Sequence, residues 1–259
     1  METISGKPPS FLQDWVLETQ NLTVLSIRAL LSLFRRPLYL RETFDQMDII
    51  GVGSMTITML TGFFSGAVMT LQTAKSLGSF GAVSYTGTIV SVTLIRELGP
   101  VLAAVVVAGR VGSGIASEIG SMLVSEQINA MRALGTDPIK KLVAPRVFAS
   151  ITMVPVLTVL CDMIGVMGGF FVAYFILRIS PTLYLTSAYD QLTYSDLVQG
   201  LIKPPVFGFI ISIIGCYCGL RTYGGTEGVG RSTTQSVVTA TVLIFVSDFF
   251  ITRLILVLI

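Results

Sequence analysis

Two adjacent charged residues, Arg96 and Glu97, lie within a stretch that is otherwise apolar and long enough to cross a membrane. Segments 81–95 and 98–109 on either side of them contain no charged residue. A charged side chain at the centre of a bilayer costs about 2.5–3.5 kcal/mol even on a lenient scale, so such groups usually face a protein interior, a partner charge or a water-filled cavity. The pair is therefore the first candidate for a functional site.

The next two residues, Gly99 and Pro100, interrupt the backbone hydrogen bonds of this stretch. Proline has no amide hydrogen, so the carbonyl of Arg96, four residues earlier, is left as a free acceptor. Two interpretations are open. One is a mutually neutralised Arg96–Glu97 pair that marks a kink, and the other, which we favour, is a polar lining for a substrate cavity.

A third charged residue, Lys203, lies near the start of another apolar stretch and is followed by two prolines. Its side chain could reach the membrane interface, as lysines near helix ends do. Alternatively, it shares one depth with Arg96 and Glu97, and the three line an amphipathic chamber open to the outside. The apolar walls of the chamber are predicted to come from Phe63, Phe64, Met69, Leu71, Val206 and Phe209. Such a chamber suits a lipid headgroup and its acyl chains.

The composition excludes several kinds of chemistry. The chain has no histidine, which removes histidine-based acid–base chemistry and the usual zinc sites. Its three cysteines all lie in apolar segments, so we predict no metal site. No P-loop motif occurs, so any ATP and its magnesium must bind to another subunit. The net charge of +2, without a basic cluster, gives no sign of a nucleic-acid partner.

Hydrophobicity sets the fold class. Hydrophobic residues make up 52% of the 259 residues and charged residues only 12%, about half the charged share of a soluble domain. The mean hydropathy is +0.79. We therefore predict an all-α integral membrane protein with a single membrane domain over residues 1–259. The first ten residues lack the pattern of a cleaved signal peptide.

The apolar runs divide the chain into an amino-terminal interfacial helix and five transmembrane helices. The interfacial helix is predicted within 1–42, with Trp15 at the headgroups and Arg35–Pro37 at its end. The predicted spans are 48–74, 82–117, 138–178, 197–220 and 233–259. A polar segment, 180–196, separates the third span from the fourth. In the first span, the small residues Gly62 and Gly66 predict close packing against a neighbouring helix or a second copy.

A short amphipathic helix is predicted over 125–135, between the second and third spans. Ser125 is expected to cap it, Gly135 to end it, and Asp137 to cap the next helix. A stripe at every third position comprises Ile128, Met131 and Leu134. A helix of this kind either docks onto another protein or lies on the membrane surface.

The basic residues predict the orientation of the chain. If the first helix is cytoplasmic, twelve of the 17 Lys and Arg residues fall on the cytoplasmic side and two on the far side. The positive-inside rule then places the amino terminus in the cytoplasm and, after five crossings, the carboxyl terminus outside.

These motifs resemble those of the MlaE/YrbE permeases, the membrane subunits of ABC transporters that work with MCE proteins. The matching stretches are Leu94-Ile-Arg-Glu-Leu-Gly-Pro100, Ala108-Gly-Arg-Val-Gly-Ser-Gly114, Ala116-Ser-Glu-Ile-Gly120, Asp137-Pro138, Leu201-Ile-Lys203 and Gly230-Arg231. They occur in order over nearly the whole chain.

The resemblance implies a homodimer in the bacterial inner membrane, with its carboxyl terminus in the periplasm. Two cytoplasmic ATPase subunits would carry ATP and Mg, a ring of MCE subunits would lie above, and some systems add a STAS-domain protein. Arg96, Glu97 and Lys203 match polar residues of the family's lipid pocket. The coupling helix that contacts the ATPase would use Glu126, Ile128, Met131, Arg132, Leu134 and Asp137. Some phospholipid-handling members carry basic residues near Asp45 and Gln235, where this chain is acidic or neutral.

We therefore expect a lipid-transport permease and no enzymatic activity in this chain. An ion-coupled carrier using Glu97 or Asp248 is one alternative, but five spans do not divide into the inverted repeats typical of such carriers. An intramembrane lipid-modifying enzyme, with Glu97 or Asp162 as base, is another. It would have to work without histidine and without paired carboxylates at one depth.

Overall fold

The computed structural model describes residues 11–33 and 39–258, and the regular structure of these residues is entirely helical. The predicted all-α membrane fold is confirmed. The ten α-helices are α1 Phe11–Leu33, α2 Leu40–Gly78, α3 Thr86–Thr93, α4 Gly99–Val107, α5 Ser113–Val124, α6 Gln127–Ala133, α7 Ala144–Phe175, α8 Pro181–Asp190, α9 Tyr194–Leu220 and α10 Gly225–Leu258. Three π-helical turns, Leu94–Leu98, Ala108–Gly112 and Ile139–Val143, join some of them end to end.

Within the described residues, five helical runs are long and apolar enough to cross a membrane: Leu40–Gly78, Val83–Val124, Ile139–Phe175, Tyr194–Leu220 and Gly225–Val257. The number equals the number predicted. Several runs extend past the apolar segments that define the predicted spans, since a helix continues through polar residues wherever its backbone can hydrogen-bond. The second run, for example, reaches Val124 rather than 117.

Helix α7 is the centre of the bundle and packs along most of α2. The contact depends on glycine, as the spacing of Gly62 and Gly66 predicts. A methyl group at Gly66 would overlap the carbonyl of Gly165, and one at Gly168 would overlap the carbonyl of Phe63. Small residues let the two backbones approach closely. Inside a membrane no hydrophobic force drives helices together, so their association depends on close van der Waals packing of this kind. The partner of this motif is therefore α7 of the same chain.

A helix that the sequence analysis does not predict, α8, lies within the polar segment 180–196. It packs on α3, where the hydroxyls of Thr88 and Ser91 donate hydrogen bonds of 2.7 and 2.8 Å to carbonyls in its last turn. Tyr184 of α8 is 1% exposed, and burial raises the pKa of its phenol. The Ser-Pro start of α8 is a helix-start signal that hydropathy alone does not weigh.

Helix α1 lies against α7 and α9, with Leu25 and Ala29 buried and several apolar side chains exposed on its other face. The expectations for residues 1–10, for Trp15 and for the end of this helix at Arg35–Pro37 fall on residues or side chains outside those that the structure describes.

Candidate functional site

We call Leu94–Leu98, which contains Arg96 and Glu97, the charged turn, and it is built by a change in helical pitch. Leu94–Leu98 forms a π-turn between α3 and α4, and Pro100 follows in the first turn of α4. The wider turn and the missing amide leave main-chain carbonyls without a helical partner. Lys203 Nζ donates to the carbonyl of Arg96 at 3.1 Å. The acceptor predicted from Pro100 is therefore present, and α9 supplies its donor.

Lys203 is completely buried and holds three elements together. Its ammonium forms a salt bridge with Glu97 of the π-turn and lies 3.0 Å from Asp248 Oδ1 of α10. The contact with Asp248 is ionic, and that oxygen has no hydrogen-bond partner among the residues that the structure describes. The side chain is 0% exposed, so the alternative in which Lys203 reaches the membrane interface is wrong. Inside the protein, the turn offers the ammonium a carbonyl and a carboxylate.

Arg96 pairs with Asp196 and not with Glu97. Both its Nε and its Nη2 contact Asp196 Oδ1. Asp196 is buried and also forms a capping box with Thr193 at the start of α9, accepting from the Thr193 amide at 2.9 Å. The interpretation of a mutually neutralised Arg96–Glu97 pair is therefore wrong, since each residue is paired with a different residue of α9, Arg96 with Asp196 and Glu97 with Lys203. We call Arg96, Glu97, Asp196, Lys203 and Asp248 the charge cluster.

Three members of the charge cluster lie well inside the spans, whereas Asp196 lies in the first turn of α9. Counting along the helices at 1.5 Å per residue, Arg96, Lys203 and Asp248 are about 14–20 Å from the helix ends on the α8 side of the bundle. This is roughly half the thickness of a hydrocarbon core of about 30 Å.

The charge cluster is not sealed. The side chains of Arg96 and Glu97 are 39% and 37% exposed, whereas those of Asp196 and Lys203 are almost inaccessible. Three carboxylates face two cations, so the cluster has one excess negative charge if all five groups are ionised. Thr252 of α10 adds hydroxyl contacts of 3.4 Å to both oxygens of Glu97.

The apolar residues predicted as chamber walls do not form one surface. Phe64 and Met69 line an open groove of about 650 Å³ between α2 and α4, together with Ser65, Val68, Gln72, Thr73, Leu98 and Leu102. Phe63 packs on Phe171, with ring centroids 6.1 Å apart. Leu71 and Val206 are exposed on α2 and α9, and Phe209 packs against the core. The groove reaches Leu98, the residue after Glu97.

Two members of the charge cluster, Asp196 and Asp248, are absent from the residues predicted for the lipid chamber, although Asp248 is named for the ion-coupled alternative. A signal for Asp196 exists, since Thr193-x-x-Asp196 has the spacing of a capping box at a helix start. Asp248 is a carboxylate inside a span, which marks it as a site residue by default. What the sequence does not show is that both residues face the same turn.

A further carboxylate, that of Asp162 in α7, lies against Gly99. Its Oδ1 occupies the space that a side chain at position 99 would fill, and this oxygen is buried without a hydrogen-bond partner. Gly99 is therefore required for a close approach between α4 and α7, next to the charged turn.

The second candidate site is the segment around α6. Ile128 is 0% exposed and packs into the core, Met131 is half-buried, and Leu134 is 83% exposed. The predicted apolar stripe fails at Leu134 because α6 ends at Ala133. Glu126, Arg132 and Asp137 are exposed.

The ends of α6 differ partly from the prediction. Ser125 does not cap the helix, since its hydroxyl bonds to the carbonyl of Ser121 at 2.8 Å. Glu126 precedes α6 with a left-handed φ of 61°. Asp137 does cap the next turn, accepting from the amide of Ile139 at 2.9 Å. Gly135, with φ 76°, follows α6 in the left-handed conformation expected of a glycine that ends a helix.

These features define a multi-pass α-helical membrane protein with a charge cluster among its spans and a short, partly exposed helix between two of them. Residues 43–254 match the family model described as Permease MlaE. The chain belongs to the MlaE permease family.

Similar proteins carry names that agree with this class. A probable ABC transporter permease of Rickettsia typhi is 47% identical over 231 residues, covering 89% of each chain. One from Synechocystis is 47% identical over 214 residues, which cover 83% of this chain and 81% of the relative. The chloroplastic protein TRIGALACTOSYLDIACYLGLYCEROL 1 of Arabidopsis thaliana is 37% identical over 229 residues, covering 88% of this chain and 65% of the relative. The chain is thus a permease subunit of an ABC transporter, and its role is transport rather than catalysis.

Proposed function

We propose that this permease moves phospholipid or a related lipid between the inner membrane and a periplasmic MCE protein, driven by ATP and Mg on separate ATPase subunits. The lipid's polar end is held at the charged turn, and its acyl chains lie along apolar surfaces beside it.

One observation carries the proposal: Arg96 and Glu97 belong to a membrane-spanning run, and their side chains are buried only in part. Exposed charge within a membrane span is unfavourable against acyl chains and needs a polar counterpart. A lipid headgroup drawn into the protein supplies one. The groove that reaches Leu98 offers apolar surface for a chain, where burial contributes about 0.8 kcal/mol per methylene.

The balance of charges bears on the headgroup. Arg96 is already paired with a buried carboxylate, and the cluster carries more carboxylates than cations. Its accessible groups are one donor, Arg96, and one acceptor, Glu97. This combination suits a zwitterionic or hydroxyl-rich headgroup better than one with only negative charge. The name of the Arabidopsis relative includes a sugar-bearing diacylglycerol lipid, which fits the hydroxyl-rich class.

The partners follow from the exposed surfaces and the family. In the homodimer, a second copy would shield the exposed side of the charged turn and part of α10, the least buried of the spans. The ATPase would contact the exposed side chains around α6, namely Glu126, Arg132, Leu134 and Asp137, while Ile128 and Met131 anchor that helix to the core. The amino terminus would lie in the cytoplasm and the carboxyl terminus in the periplasm.

Copurification from native membranes tests the proposal. Mass spectrometry of a mild-detergent extract should find an ATPase subunit, an MCE protein and a diacyl lipid enriched over the bulk membrane. A variant with Arg96→Gln and Glu97→Gln should lose the lipid and keep the ATPase, while Lys75→Gln, at an exposed lysine, should keep both. Equal lipid content in all three proteins would contradict the proposal. Transport driven by an ion gradient without ATP would favour a secondary carrier instead.

A further inference from the structure

Arg146, at the start of α7, is a buried cation outside the charge cluster. Its side chain is 4% exposed, and its Nη2 forms a salt bridge of 2.7 Å with Glu118 Oε2 of α5. Its Nη1 donates to the carbonyl of Leu142, in the π-turn before α7, at 2.8 Å. Its Nε is buried without a partner. A guanidinium in this setting depends on its one carboxylate, because an unpaired buried charge is strongly unfavourable.

The salt bridge joins two helices that have little other contact. Helix α5 packs on α9 and α10, and α7 packs on α2 and α9, but α5 and α7 hardly touch through their backbones. The chain between them is α6 with its two links. The salt bridge therefore closes a loop around α6, connecting the helix before it to the helix after it.

The apolar core beneath α6 also contacts both helices that the salt bridge joins. Ile128, the buried residue of α6, belongs to the same apolar cluster as Ile119 of α5 and Val143 and Val147 near the start of α7. A push on α6 would reach both helices through that cluster. Apolar contacts of this kind can slide, whereas a salt bridge with a second hydrogen bond to the π-turn fixes one geometry.

We propose that Glu118 and Arg146 are positioning residues that make α5 and α7 move as one body when an ATPase subunit displaces α6. This inference rests on the proposed function, in which α6 is the coupling helix. Helix α5 continues, through the second span, to the charged turn, and α7 carries Asp162 beside that turn. Without the connection, α6 can be displaced while the two spans respond separately.

The test uses the full complex with its ATPase subunits in proteoliposomes of phosphatidylethanolamine and phosphatidylglycerol. Glu118→Gln keeps the shape of the side chain and removes its charge, and the matched control is Glu227→Gln, at an exposed glutamate. We expect Glu118→Gln to hydrolyse ATP like the wild type and to move less fluorescent phosphatidylethanolamine per ATP, by about 5- to 150-fold, the usual range of coupling between sites. Unchanged transport per ATP would overturn the proposal, as would a proportional loss of both activities.

The distance between α5 and α7 can be measured directly, so the salt bridge can be tested without an assay of lipid transport. Spin labels at Ser121→Cys and Phe148→Cys, both at exposed positions, report the separation of α5 and α7. In the wild-type complex we expect a narrow distribution for the distance between the two labels of one protomer, with and without ATP, and in Glu118→Gln a broader or nucleotide-dependent one. Identical distributions in both proteins would refute the connection, even if the lipid proved to be something else. If the wild-type complex moves no lipid but the distances behave as expected, only the proposed substrate fails.

Discussion

Replacing Lys203 by methionine is the most direct perturbation of the charge cluster. Methionine has a similar length and fits an apolar core, so the change removes the ammonium with little loss of volume. It leaves the carboxylates of Glu97 and Asp248 without their shared cation and the carbonyl of Arg96 without its donor. Breaking a buried ion pair by removing one partner typically costs about 3–5 kcal/mol. At about 2–4 °C per kcal/mol, the melting temperature should fall by about 6–20 °C.

The assay is thermal unfolding of the purified protein in detergent, with Lys75→Met as the control at an exposed lysine. The double variant Lys203→Met with Asp248→Asn should recover part of the loss, because it removes one of the two stranded carboxylates. Melting of Lys203→Met within about 2 °C of the wild type would refute the reasoning, since a shift that small corresponds to no more than about 1 kcal/mol. The buried ammonium would then not hold the three helices together.

Three further predictions test other contacts. Gly66→Leu should prevent correct folding because its side chain meets the carbonyl of Gly165, whereas Gly109→Leu, with open space around it, should fold normally; size-exclusion chromatography compares the two. Asp196→Asn should lower the free energy of unfolding by about 1–3 kcal/mol, because it weakens the capping box and removes the negative charge that pairs with Arg96. Thermal unfolding measures the loss, and a loss no greater than that of Asp190→Asn, at an exposed aspartate, would contradict this prediction. Leu134→Asp, at an exposed position, should abolish ATPase binding in a pull-down without changing the melting temperature. Ile128→Ala, at a buried position, should instead lower the free energy of unfolding by about 2–5 kcal/mol. The opposite pattern would show that Leu134 is part of the core.

The sequence predicts the elements that depend on hydrophobicity and small-residue spacing. The five spans are visible as apolar runs, and the close contact at Gly62 and Gly66 is visible as a motif. Helix α8 is not, because its segment is polar overall and its stability comes from hydroxyls of α3 that bind its last carbonyls. A helix held by tertiary hydrogen bonds leaves little trace in its own hydropathy.

The sequence predicts one contact of the charge cluster, the free carbonyl of Arg96, but not which charged side chains form pairs. Pro100 frees a specific carbonyl, so an acceptor at Arg96 follows from the sequence alone. Which charged group pairs with which depends on helix rotation, and charge patterns within a single helix do not determine it. Arg96 and Glu97 are neighbours in the chain but point to different partners, one at the start of α9 and the other at Lys203 in its interior.

The charge cluster separates into a part that holds helices and a part that is open to a ligand. Lys203 and Asp196 are buried, and each already has its partners within the protein. Arg96 and Glu97 each have one ionic partner, and their side chains remain partly accessible. A phosphate that approached Arg96 would compete with the carboxylate of Asp196, which the capping box holds in place. A headgroup that also donates a hydrogen bond to Glu97 gains one contact at each accessible side chain. Its binding then does not depend only on competing with Asp196 for Arg96. Discrimination between lipids would then depend on the donors a headgroup carries as well as on its charge.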